Sequence, residues 1–435
     1  MADTKAGIKK ILKKAIVALY KLESRVLPMR KDVVLFMSNM GKNYSGNPKA
    51  IFEALVRIDS EKKCRPVWAF TALCLSENDR SVLPQNTEIV KYGSFKYYRL
   101  LATAGKWVFD TRQEPYLVKR KGCTYIQTWH GTPLKKLGLD IDEMNMSGET
   151  EGASRSGETE KTVGQDKLKS YHESFRNEAA KWDYLIAQND FSAETFKRCF
   201  DYRGEILCTG YPRNDVLVRN ARTSNPAGEK KILLYAPTWR DDRYLGNGWY
   251  GYDSPLDFNK LEKTIGDRCR IILKLHYLVH LKPEDIPKSC IDSGFVTVCG
   301  NDEDIADLYL KADGLITDYS SVMFDYSLLN RPLFFYAYDL ESYRDRLRGF
   351  YFDFVEEAPG PISKTEDELL EDILESGILS EDSDELSEKN DNDAINLEKS
   401  RYTKKYREFQ KKYNMYDDGQ ASEKIAQLLT GRKNG

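Results

Sequence analysis

The sequence contains few histidines and lacks several patterns that define familiar protein classes. Its four histidines and eight cysteines show no zinc-ligand spacing, and no Cys-x-x-Cys pair occurs. We interpret the cysteines as free thiols in a reducing cytoplasm rather than as metal or redox ligands. The net charge of −2 provides no general field that favours nucleic acid, so any basic surface must be local.

Long apolar runs are also missing, as are two common motifs of nucleotide and ester chemistry. No segment approaches the ~18 consecutive apolar residues of a membrane-spanning helix. Lysines interrupt every apolar stretch near the amino terminus, which argues against a signal peptide. There is neither a Gly-x-Gly-x-x-Gly dinucleotide fingerprint nor a Gly-x-Ser-x-Gly nucleophile elbow.

The amino terminus has the pattern of a basic amphipathic helix. Apolar residues recur at helical spacing from Lys5 to Leu27, and five lysines lie between them. The apolar positions are Ile8, Ile11, Leu12, Ala15, Ile16, Leu19 and Leu22. Such a helix suits an anionic membrane surface, but a helix packed on the protein body has the same pattern. The residues of this segment leave both interpretations open.

Strand and helix patterns alternate along the rest of the chain, which predicts a parallel α/β fold. One series of apolar strand patterns begins at Val33–Met37, and a second begins at Lys231–Tyr235. The polar stretch Asn220–Lys230 between them reads as an interdomain linker. We therefore predict two doubly wound, Rossmann-like domains that face each other across a cleft.

The predicted domain limits follow from these patterns. A basic amphipathic helix occupies residues 1–30, and a first Rossmann-like domain occupies 31–222. This first domain contains a polar insertion near 140–165, which is either a lid or a tolerated surface loop. A second Rossmann-like domain occupies 229–375, and an acidic loop with carboxyl-terminal helices occupies 376–435.

Two of the four histidines stand at predicted strand ends. Ligands of open parallel sheets bind at the carboxyl ends of the strands, and His130 and His276 each follow an apolar strand pattern. Histidine accepts a proton near neutral pH, which suits a base that activates a hydroxyl group. Their positions in two predicted domains favour a functional role for both, whereas His172 and His280 are interpreted as structural.

Polar residues at two further strand ends predict phosphate binding. Thr317, Ser320 and Ser321 lie beside a predicted helix start, where free N–H groups and the helix dipole attract anions. Thr238 and Arg240 follow another strand, and arginine offers a planar set of donors for phosphate oxygens. Both groups belong to the predicted second domain.

One Asp-x-Asp pair, Asp302 and Asp304, is similar to the metal-binding pair of some sugar transferases. It begins a helix pattern, however, where an acidic residue more often caps the helix. No other such pair lies at a convincing strand end. We therefore predict no tightly bound metal.

Four ordered motifs closely resemble the CDP-glycerol glycerophosphotransferases, the teichoic acid primases and polymerases of bacterial cell-wall and capsule synthesis. They are Trp129-His-Gly-Thr-Pro-Leu-Lys-Lys-Leu-Gly138, Ala236-Pro-Thr-Trp-Arg240, Leu273-Lys-Leu-His276 and Ile316-Thr-Asp-Tyr-Ser-Ser321. The resemblance covers roughly Val33 to Pro361. The motifs, with a further one at Arg348–Asp353, add the site candidates Gly131, Thr132, Lys274, Asp318 and Arg348. Tyr277 departs from the family, in which many members have proline.

The resemblance implies a GT-B-like fold and a metal-independent transfer without cofactors. The implied donor is CDP-glycerol or CDP-ribitol, and the implied acceptor is a polyprenyl-diphosphate-linked saccharide or polymer. Nucleic acid is not an expected partner. The resemblance also implies peripheral attachment to the cytoplasmic face of the bacterial cell membrane, which favours the membrane interpretation of the amino-terminal helix.

The reaction implied by the resemblance is attack of an acceptor hydroxyl on the β-phosphorus of the CDP-alditol, with departure of CMP. Phosphoryl transfer needs positioning and charge neutralisation more than covalent help. His130 is the expected general base, and His276 is expected to orient or stabilise the pyrophosphate. Thr317, Ser320 and Ser321 are expected to bind the pyrophosphate, which Arg240 neutralises.

Two alternatives from other functional classes remain at this stage. A GT-B glycosyltransferase that uses a nucleotide sugar shares the fold, but usually binds its diphosphate with an Arg/Lys pair and its ribose with a glutamate. This sequence has a Thr-Asp-Tyr-Ser-Ser turn instead. A non-catalytic, membrane-associated binding protein is the other alternative, and the presence of His130 and His276 argues against it.

Overall fold

The structure is a computed structural model that describes most of the chain. The described residues are 2–71, 83–85, 87–142, 157–221, 229–238, 244–246, 249–276, 279–282, 285–300, 303–342, 349–379 and 402–431. Four residues discussed above lie outside these ranges: Arg240, Tyr277, Asp302 and Arg348. Most of the predicted polar insertion and acidic loop also lies outside them.

The chain divides into two compact units. The first contains Met1–His130, Glu173–Asp215 and Tyr416–Gly435, and the second contains Gly131–His172 and Val216–Met415. The predicted limits placed all of 31–222 in one domain. Residues just after His130 instead belong to the second unit because they bond to a later segment of that unit, as described below.

The first unit is built on a seven-stranded parallel sheet with the order β3-β2-β1-β4-β5-β6-β7. Its strands are β1 (Arg30–Met37), β2 (Arg65–Phe70), β3 (Glu88–Lys91), β4 (Ala104–Phe109), β5 (Thr124–Gln127), β6 (Tyr184–Ala187) and β7 (Glu205–Cys208). The central strand β1 is fully buried from Val33 to Met37. A continuous apolar run of this kind is typical of a parallel strand covered by helices on both faces.

The second unit is built on a six-stranded parallel sheet with the order β13-β11-β8-β14-β15-β16. Strands β12, β10 and β9 form a separate three-stranded sheet in that order. The strands are β8 (Lys231–Ala236), β9 (Tyr244–Gly246), β10 (Trp249–Gly251), β11 (Cys269–Leu273), β12 (Val279–His280), β13 (Val296–Val298), β14 (Gly314–Thr317), β15 (Leu333–Tyr336) and β16 (Ile362–Ser363). The two parallel sheets confirm the predicted α/β class.

Helices connect the strands of both sheets. In chain order they are α1 (Ala2–Val26), α2 (Gly46–Ile58), α3 (Phe95–Thr103), α4 (Gly157–Ala179), α5 (Asp190–Phe200), α6 (Asp215–Arg219), α7 (Phe258–Ile265), α8 (Lys288–Asp292), α9 (Ile305–Lys311), α10 (Val322–Tyr326), α11 (Leu340–Ser342), α12 (Phe354–Glu357), α13 (Glu366–Glu375), α14 (Thr403–Tyr413) and α15 (Ala421–Thr430). The last helix packs on α2, and Ile425 and Leu429 enter the core of the first unit.

Helix α1 attaches to the first unit through one face of its carboxyl-terminal half. Tyr20 is buried there, and its hydroxyl donates a hydrogen bond of 3.0 Å to the Val118 carbonyl. Leu19, Leu22 and Val26 are exposed at 40%, 55% and 65%. The predicted apolar stripe therefore faces away from the unit along this half of the helix. No helix among the described residues has the length and apolar character needed to cross a bilayer.

Candidate active site

The functional edge of the first sheet lies where its strand order reverses, between β1 and β4. Connections leave this point in opposite directions, so the carboxyl ends of the two strands border an open crevice, which is where ligands of such sheets bind. Ser38 directly follows β1, Asp110 directly follows β4, and His130 comes three residues after β5. The structure thus places the predicted base at the carboxyl edge of the sheet.

The His130 ring is held in a defined orientation. Its Nδ1 lies 2.9 Å from the Asp110 carbonyl oxygen, and the ring stacks on Trp129 with centroids 4.6 Å apart. Because a carbonyl oxygen only accepts hydrogen bonds, Nδ1 carries the proton. In the neutral ring Nε2 then has the free lone pair, so this nitrogen is able to accept a proton from a substrate hydroxyl.

The backbone around His130 is held by two polar side chains. Asn47 Nδ2 donates to the carbonyls of Thr128 at 3.2 Å and Trp129 at 3.1 Å, and Arg213 Nη1 donates to the His130 carbonyl at 2.9 Å. Trp129 has a positive φ of 50°, an uncommon conformation for a large side chain. Strained backbone of this kind persists only where surrounding contacts determine it, and these bonds supply such contacts.

Asp110 is a buried acid beside the candidate base. It is 2% exposed, and its Oδ2 accepts the Ser38 hydroxyl at 2.6 Å while Oδ1 accepts the Asn39 backbone N–H at 2.9 Å. Burial raises the pKa of Asp110, whereas the Ser38 bond and the nearby His130 ring favour its ionised form. The carboxylate therefore has both donors and a neighbouring base to stabilise it.

The pKa of His130 is lowered by the exclusion of water around the ring, while the Asp110 carbonyl and carboxylate oppose this shift. Part of the side chain nevertheless remains exposed to solvent at the edge of the sheet. A lowered pKa keeps the imidazole neutral at physiological pH. This is the protonation state that a general base requires.

The corresponding edge of the second sheet lies between β8 and β14. Asp318 directly follows β14, and its Oδ1 accepts the Thr238 backbone N–H at 2.8 Å. The Thr317 hydroxyl donates to the Ala236 carbonyl at 2.7 Å and is fully buried. The structure therefore brings the predicted site residues Thr238, Thr317 and Asp318 together. The Thr317 hydroxyl, however, is engaged in a hydrogen bond that joins the ends of β8 and β14.

Ser320 and Ser321 lie between β14 and α10, and both are partly buried. The Val322 N–H lies 3.5 Å from Ser320 Oγ, so this side chain makes a long contact with the helix start. The predicted helix is only five residues long before a 3-10 turn at Ser327–Leu329. Both hydroxyls lie at the sheet edge that the sequence predicted.

His276 follows β11 by three residues and is partly buried, and its carbonyl accepts the Val279 N–H at 2.8 Å. Lys274 Nζ donates to the carbonyls of Gly300 and Glu303. The lysine charge therefore holds the loop before α9. Both predicted residues lie at the carboxyl end of β11, but the structure gives Lys274 a bonding role within the protein.

A recess with aromatic walls lies at the same edge of the second sheet. It is lined by residues that include Tyr235, Thr238, Tyr252, Leu275, Asp318 and Tyr338. Aromatic faces with a few polar groups are typical of sites that bind flat ligands such as nucleobases. Tyr252 and Tyr338 were not identified from the sequence, because they follow β10 and β15 outside any motif.

Gly131 and Thr132 begin the part of the motif that belongs to the second unit, and both are buried. The residues after them pair with the segment that follows Arg348. Lys136 N–H donates to the Gly349 carbonyl at 2.9 Å, and Tyr351 N–H donates to the Leu134 carbonyl at 3.0 Å. Two motifs more than two hundred residues apart are thus joined by backbone hydrogen bonds.

His172 and Asp304 both make hydrogen bonds that stabilise local structure. His172 Nε2 lies 3.0 Å from the Ile141 carbonyl, which agrees with its structural interpretation. Asp304 accepts the Ala306 N–H at the start of α9, as expected of an acidic cap. Within the described ranges no three His, Cys, Asp or Glu side chains are grouped as metal ligands.

The sequence reading missed several residues that position His130, namely Ser38, Asn47, Asp110 and Arg213. Asp110 could have been identified by the same signal as His130, because it too directly follows an apolar strand pattern. The buried bonds of Asn47 had no comparable signal, because its partners are backbone carbonyls 81 and 82 residues away.

Comparisons with known proteins show which family this chain resembles over most of its length. A full-length relative, the teichoic acid glycerol-phosphate transferase of Staphylococcus aureus (strain NCTC 8325 / PS 47), is 35% identical over 98% of this chain and 99% of its own length. The teichoic acid poly(glycerol phosphate) polymerase of Bacillus subtilis (strain 168) is 38% identical over 84% of this chain. This chain spans 46% of the length of that polymerase.

A solved structure of the wall teichoic acid polymerase TagF, soaked with CDPG, is also similar. It matches with a TM-score of 0.78 and 33% identity over 98% of this chain and 96% of that chain. The match confirms the predicted GT-B-like class of fold. The family model for CDP-Glycerol:Poly(glycerophosphate) glycerophosphotransferase matches residues 18–431. The chain therefore belongs to the CDP-glycerol:poly(glycerophosphate) glycerophosphotransferase family.

Proposed function

We propose that this protein transfers glycerol phosphate from CDP-glycerol to a hydroxyl group of a teichoic acid acceptor and releases CMP. Family membership supports this reaction, and both reported relatives are named for glycerol phosphate. The observation that carries the chemistry is the His130 ring, whose Nδ1 is engaged by the Asp110 carbonyl. This arrangement directs the basic nitrogen Nε2 away from that bond and toward a substrate.

In the proposed reaction His130 Nε2 removes the proton from the acceptor hydroxyl as its oxygen attacks the β-phosphorus. A new P–O bond forms to the acceptor, and the P–O bond between the β-phosphorus and the CMP oxygen breaks. CMP leaves with the electron pair of that bond. The imidazolium then returns its proton to solvent, so that the next cycle starts from the neutral base.

The donor is proposed to bind at the carboxyl edge of the second sheet. Thr238, Ser320 and Ser321 supply polar groups there for the pyrophosphate, and the adjacent recess presents the aromatic side chains of Tyr235, Tyr252 and Tyr338 to the nucleotide. His276 and Arg240 are proposed to neutralise phosphate charge, Arg240 on the basis of its motif alone. Because phosphoryl transfer depends on charge neutralisation by fixed groups, we propose that no metal ion is needed.

The acceptor is proposed to be attached to a polyprenyl lipid at the cytoplasmic face of the membrane, to which the protein binds peripherally. Helix α1 supports this proposal because it leaves Leu19, Leu22 and Val26 exposed while Tyr20 anchors it to the first unit. Lys14 and Lys21 on the same helix are also exposed. An exposed apolar stripe next to lysines is typical of helices that lie in the membrane interface.

The proposed function is tested with purified full-length protein and a synthetic lipid-linked acceptor. CDP-glycerol, CDP-ribitol and a nucleotide sugar are supplied in parallel, and CMP release and product mass are measured. We expect CMP release and a mass increase of one or more glycerol phosphate units with CDP-glycerol. Activity with CDP-ribitol but not with CDP-glycerol would show that the donor is CDP-ribitol. Transfer from the nucleotide sugar alone would overturn the proposal.

A further inference from the structure

We propose that Asp110 is a positioning residue for His130: its carbonyl fixes the ring tautomer, and its carboxylate stabilises the imidazolium that forms during proton transfer. The inference deepens the proposed function and rests on His130 acting as the base. It starts from two observations on one residue: the Asp110 carbonyl contacts the His130 ring, and the Asp110 carboxylate is buried and bonded to Ser38 and Asn39.

The carbonyl part of the inference follows from the chemistry of the hydrogen bond. The Nδ1 atom of His130 lies 2.9 Å from the Asp110 oxygen, which has no proton to give. The bond therefore selects the Nδ1–H tautomer and leaves Nε2 basic. The Trp129 ring, stacked at 4.6 Å, restricts rotation of the imidazole out of this bond.

The carboxylate part follows from burial and charge. Asp110 is 2% exposed, and its two oxygens are held by the Ser38 hydroxyl and the Asn39 N–H. Burial raises the pKa of the Asp110 carboxyl, and these donors oppose that rise by favouring the ionised form, which attracts the imidazolium. The guanidinium of Arg213 also interacts with the ring, with the opposite sign. The negative charge of Asp110 offsets this repulsion when His130 takes up a proton.

A purely structural role is the competing explanation. Asp318 in the second unit also accepts a backbone N–H across its switch point. The Asp110 bond to Asn39 therefore needs no catalytic explanation. Asp110 differs in that its own carbonyl contacts the His130 ring. A catalytic role therefore predicts that the loss of the carboxylate changes the pKa of His130, whereas a purely structural role predicts no such change.

The test measures the titration of His130 directly in the full-length protein, without substrate. The chain has only four histidines, so NMR signals of labelled imidazoles are assignable by comparison with His130→Ala. In the unmodified protein we expect the neutral His130 ring to be the Nδ1–H tautomer. In Asp110→Asn we expect the pKa of His130 to fall by about one unit, the lower end of the effect of a close opposite charge.

The sign follows from the loss of the carboxylate, because an imidazolium without its neighbouring negative charge releases its proton at lower pH. The acid limb of the kcat profile should move to lower pH by the same amount. At pH values above the acid limb, kcat should fall by up to about tenfold for each unit by which the pKa of His130 falls, as expected for a weaker base. The KM for the donor should not change, since Asp110 is proposed to act through His130.

Asp59→Asn is the matched control. Asp59 is also a buried carboxylate, and it accepts the N–H groups of Lys63 at 3.0 Å and Cys64 at 2.7 Å. It precedes β2 and therefore lies at the opposite edge of the same sheet. Its replacement should lower stability in a similar way, but should leave the titration of His130 and the pH profile unchanged.

Three results would overturn the inference: an unchanged His130 titration in Asp110→Asn, an equal shift in Asp59→Asn, or an Nε2–H tautomer in the unmodified protein. The last measurement needs no variant, so it decides the tautomer claim even if Asp110→Asn does not fold. Failure of the proposed function appears separately, as absence of CMP release by the unmodified protein. The titration result does not depend on that assay.

Discussion

Asp110 and Asp318 hold the same position in the two sheets. Each is the first residue after the strand beyond the switch point, and each accepts the backbone N–H of the second residue after the neighbouring strand, at 2.9 and 2.8 Å. The carboxylates thus hold together the two loops that border each crevice. This repeated bond shows that the carboxyl edges of both sheets are stabilised in the same way, although the adjacent side chains differ.

The difference between the two edges agrees with a division of roles. The first edge adds the Ser38 hydroxyl and the His130 ring to its aspartate, which suits activation of an acceptor hydroxyl. The second edge adds threonine and serine hydroxyls and a tyrosine-lined recess. These groups suit a nucleotide diphosphate. One arrangement of strands therefore supports two chemical tasks through its loop residues.

We expect His130→Ala and His276→Ala each to lower turnover by at least ~10², the scale of a general base or of a transition-state partner. Steady-state CMP release measures this loss, and circular dichroism verifies the fold. His172→Ala is the control because its ring bonds to the Ile141 carbonyl, so it should affect stability rather than turnover. Near-normal turnover in a folded His130 or His276 variant would remove that residue from the mechanism.

The main elements of the fold were predictable because they depend on local pattern. The predicted strand Val33–Met37 lies within β1, which begins three residues earlier, and the predicted strand Lys231–Tyr235 lies within β8, which ends one residue later. Buried parallel strands form short apolar runs between polar turns, and this pattern is visible without tertiary information. The short strands β9 and β10 were missed because each has three residues and no apolar run.

The site was predictable only in part. The predicted location of His130 and Ser320 just beyond strand ends is confirmed, because apolar strand patterns that end in polar residues are visible in the sequence. The sequence does not show that the Thr317 hydroxyl bonds to a neighbouring strand or that Lys274 bonds to two backbone carbonyls, because these partners are distant in the sequence. The orientation of the apolar stripe on α1 was also undetermined, since helical spacing does not show which face meets the protein.

Ser320→Ala and Arg240→Ala should weaken donor binding more than they lower turnover, because their proposed partners are phosphate oxygens already present in the ground state. Calorimetric titration with an unreactive CDP-glycerol analogue measures the affinity. If both variants bind the analogue as well as the unmodified protein does, the pyrophosphate lies elsewhere.

Thr317→Val should behave differently from the serine variant. Its hydroxyl donates to the Ala236 carbonyl in a fully buried position, so its removal should lower the free energy of unfolding by about 1 to 3 kcal/mol. Urea unfolding measures this loss. A large decrease in donor affinity with unchanged stability would instead support the role that the sequence motif suggested.

Activity should persist in excess chelator. The proposed mechanism relies on Arg240, His276 and hydroxyl donors for the phosphate charge, and it uses no metal ion. The measurement is CMP release before and after dialysis against EDTA, with and without added magnesium. Complete loss that magnesium restores would contradict the mechanism and would direct attention to Asp302 and Asp304.

The exposed stripe of α1 allows membrane binding to be tested without removing the helix. Deletion of α1 would also remove Tyr20, which is 1% exposed and bonds to Val118, so a loss of activity would be ambiguous. Leu22 and Val26 are exposed at 55% and 65%. The double variant Leu22→Glu, Val26→Glu should therefore fold normally but lose apolar contact with lipid.

Burial of each such side chain contributes about 1.5 to 3 kcal/mol, and about 1.4 kcal/mol corresponds to tenfold in affinity. We expect the double variant to bind anionic vesicles at least ~10-fold more weakly and to act poorly on a long-chain lipid acceptor. It should retain activity on a short, water-soluble acceptor, because the proposed catalytic groups are unchanged. Vesicle sedimentation and paired activity assays measure both effects.

Val56→Glu is the matched control, since Val56 lies on α2 and is 45% exposed. It adds a negative charge at an exposed valine outside the stripe, so vesicle binding should fall by much less than in the double variant. Binding of the unmodified protein should also weaken as salt rises, because lysine attraction to the surface is screened over about 10 Å at 0.1 M. Equal sedimentation of the double variant and the unmodified protein would show that the membrane-binding surface lies elsewhere.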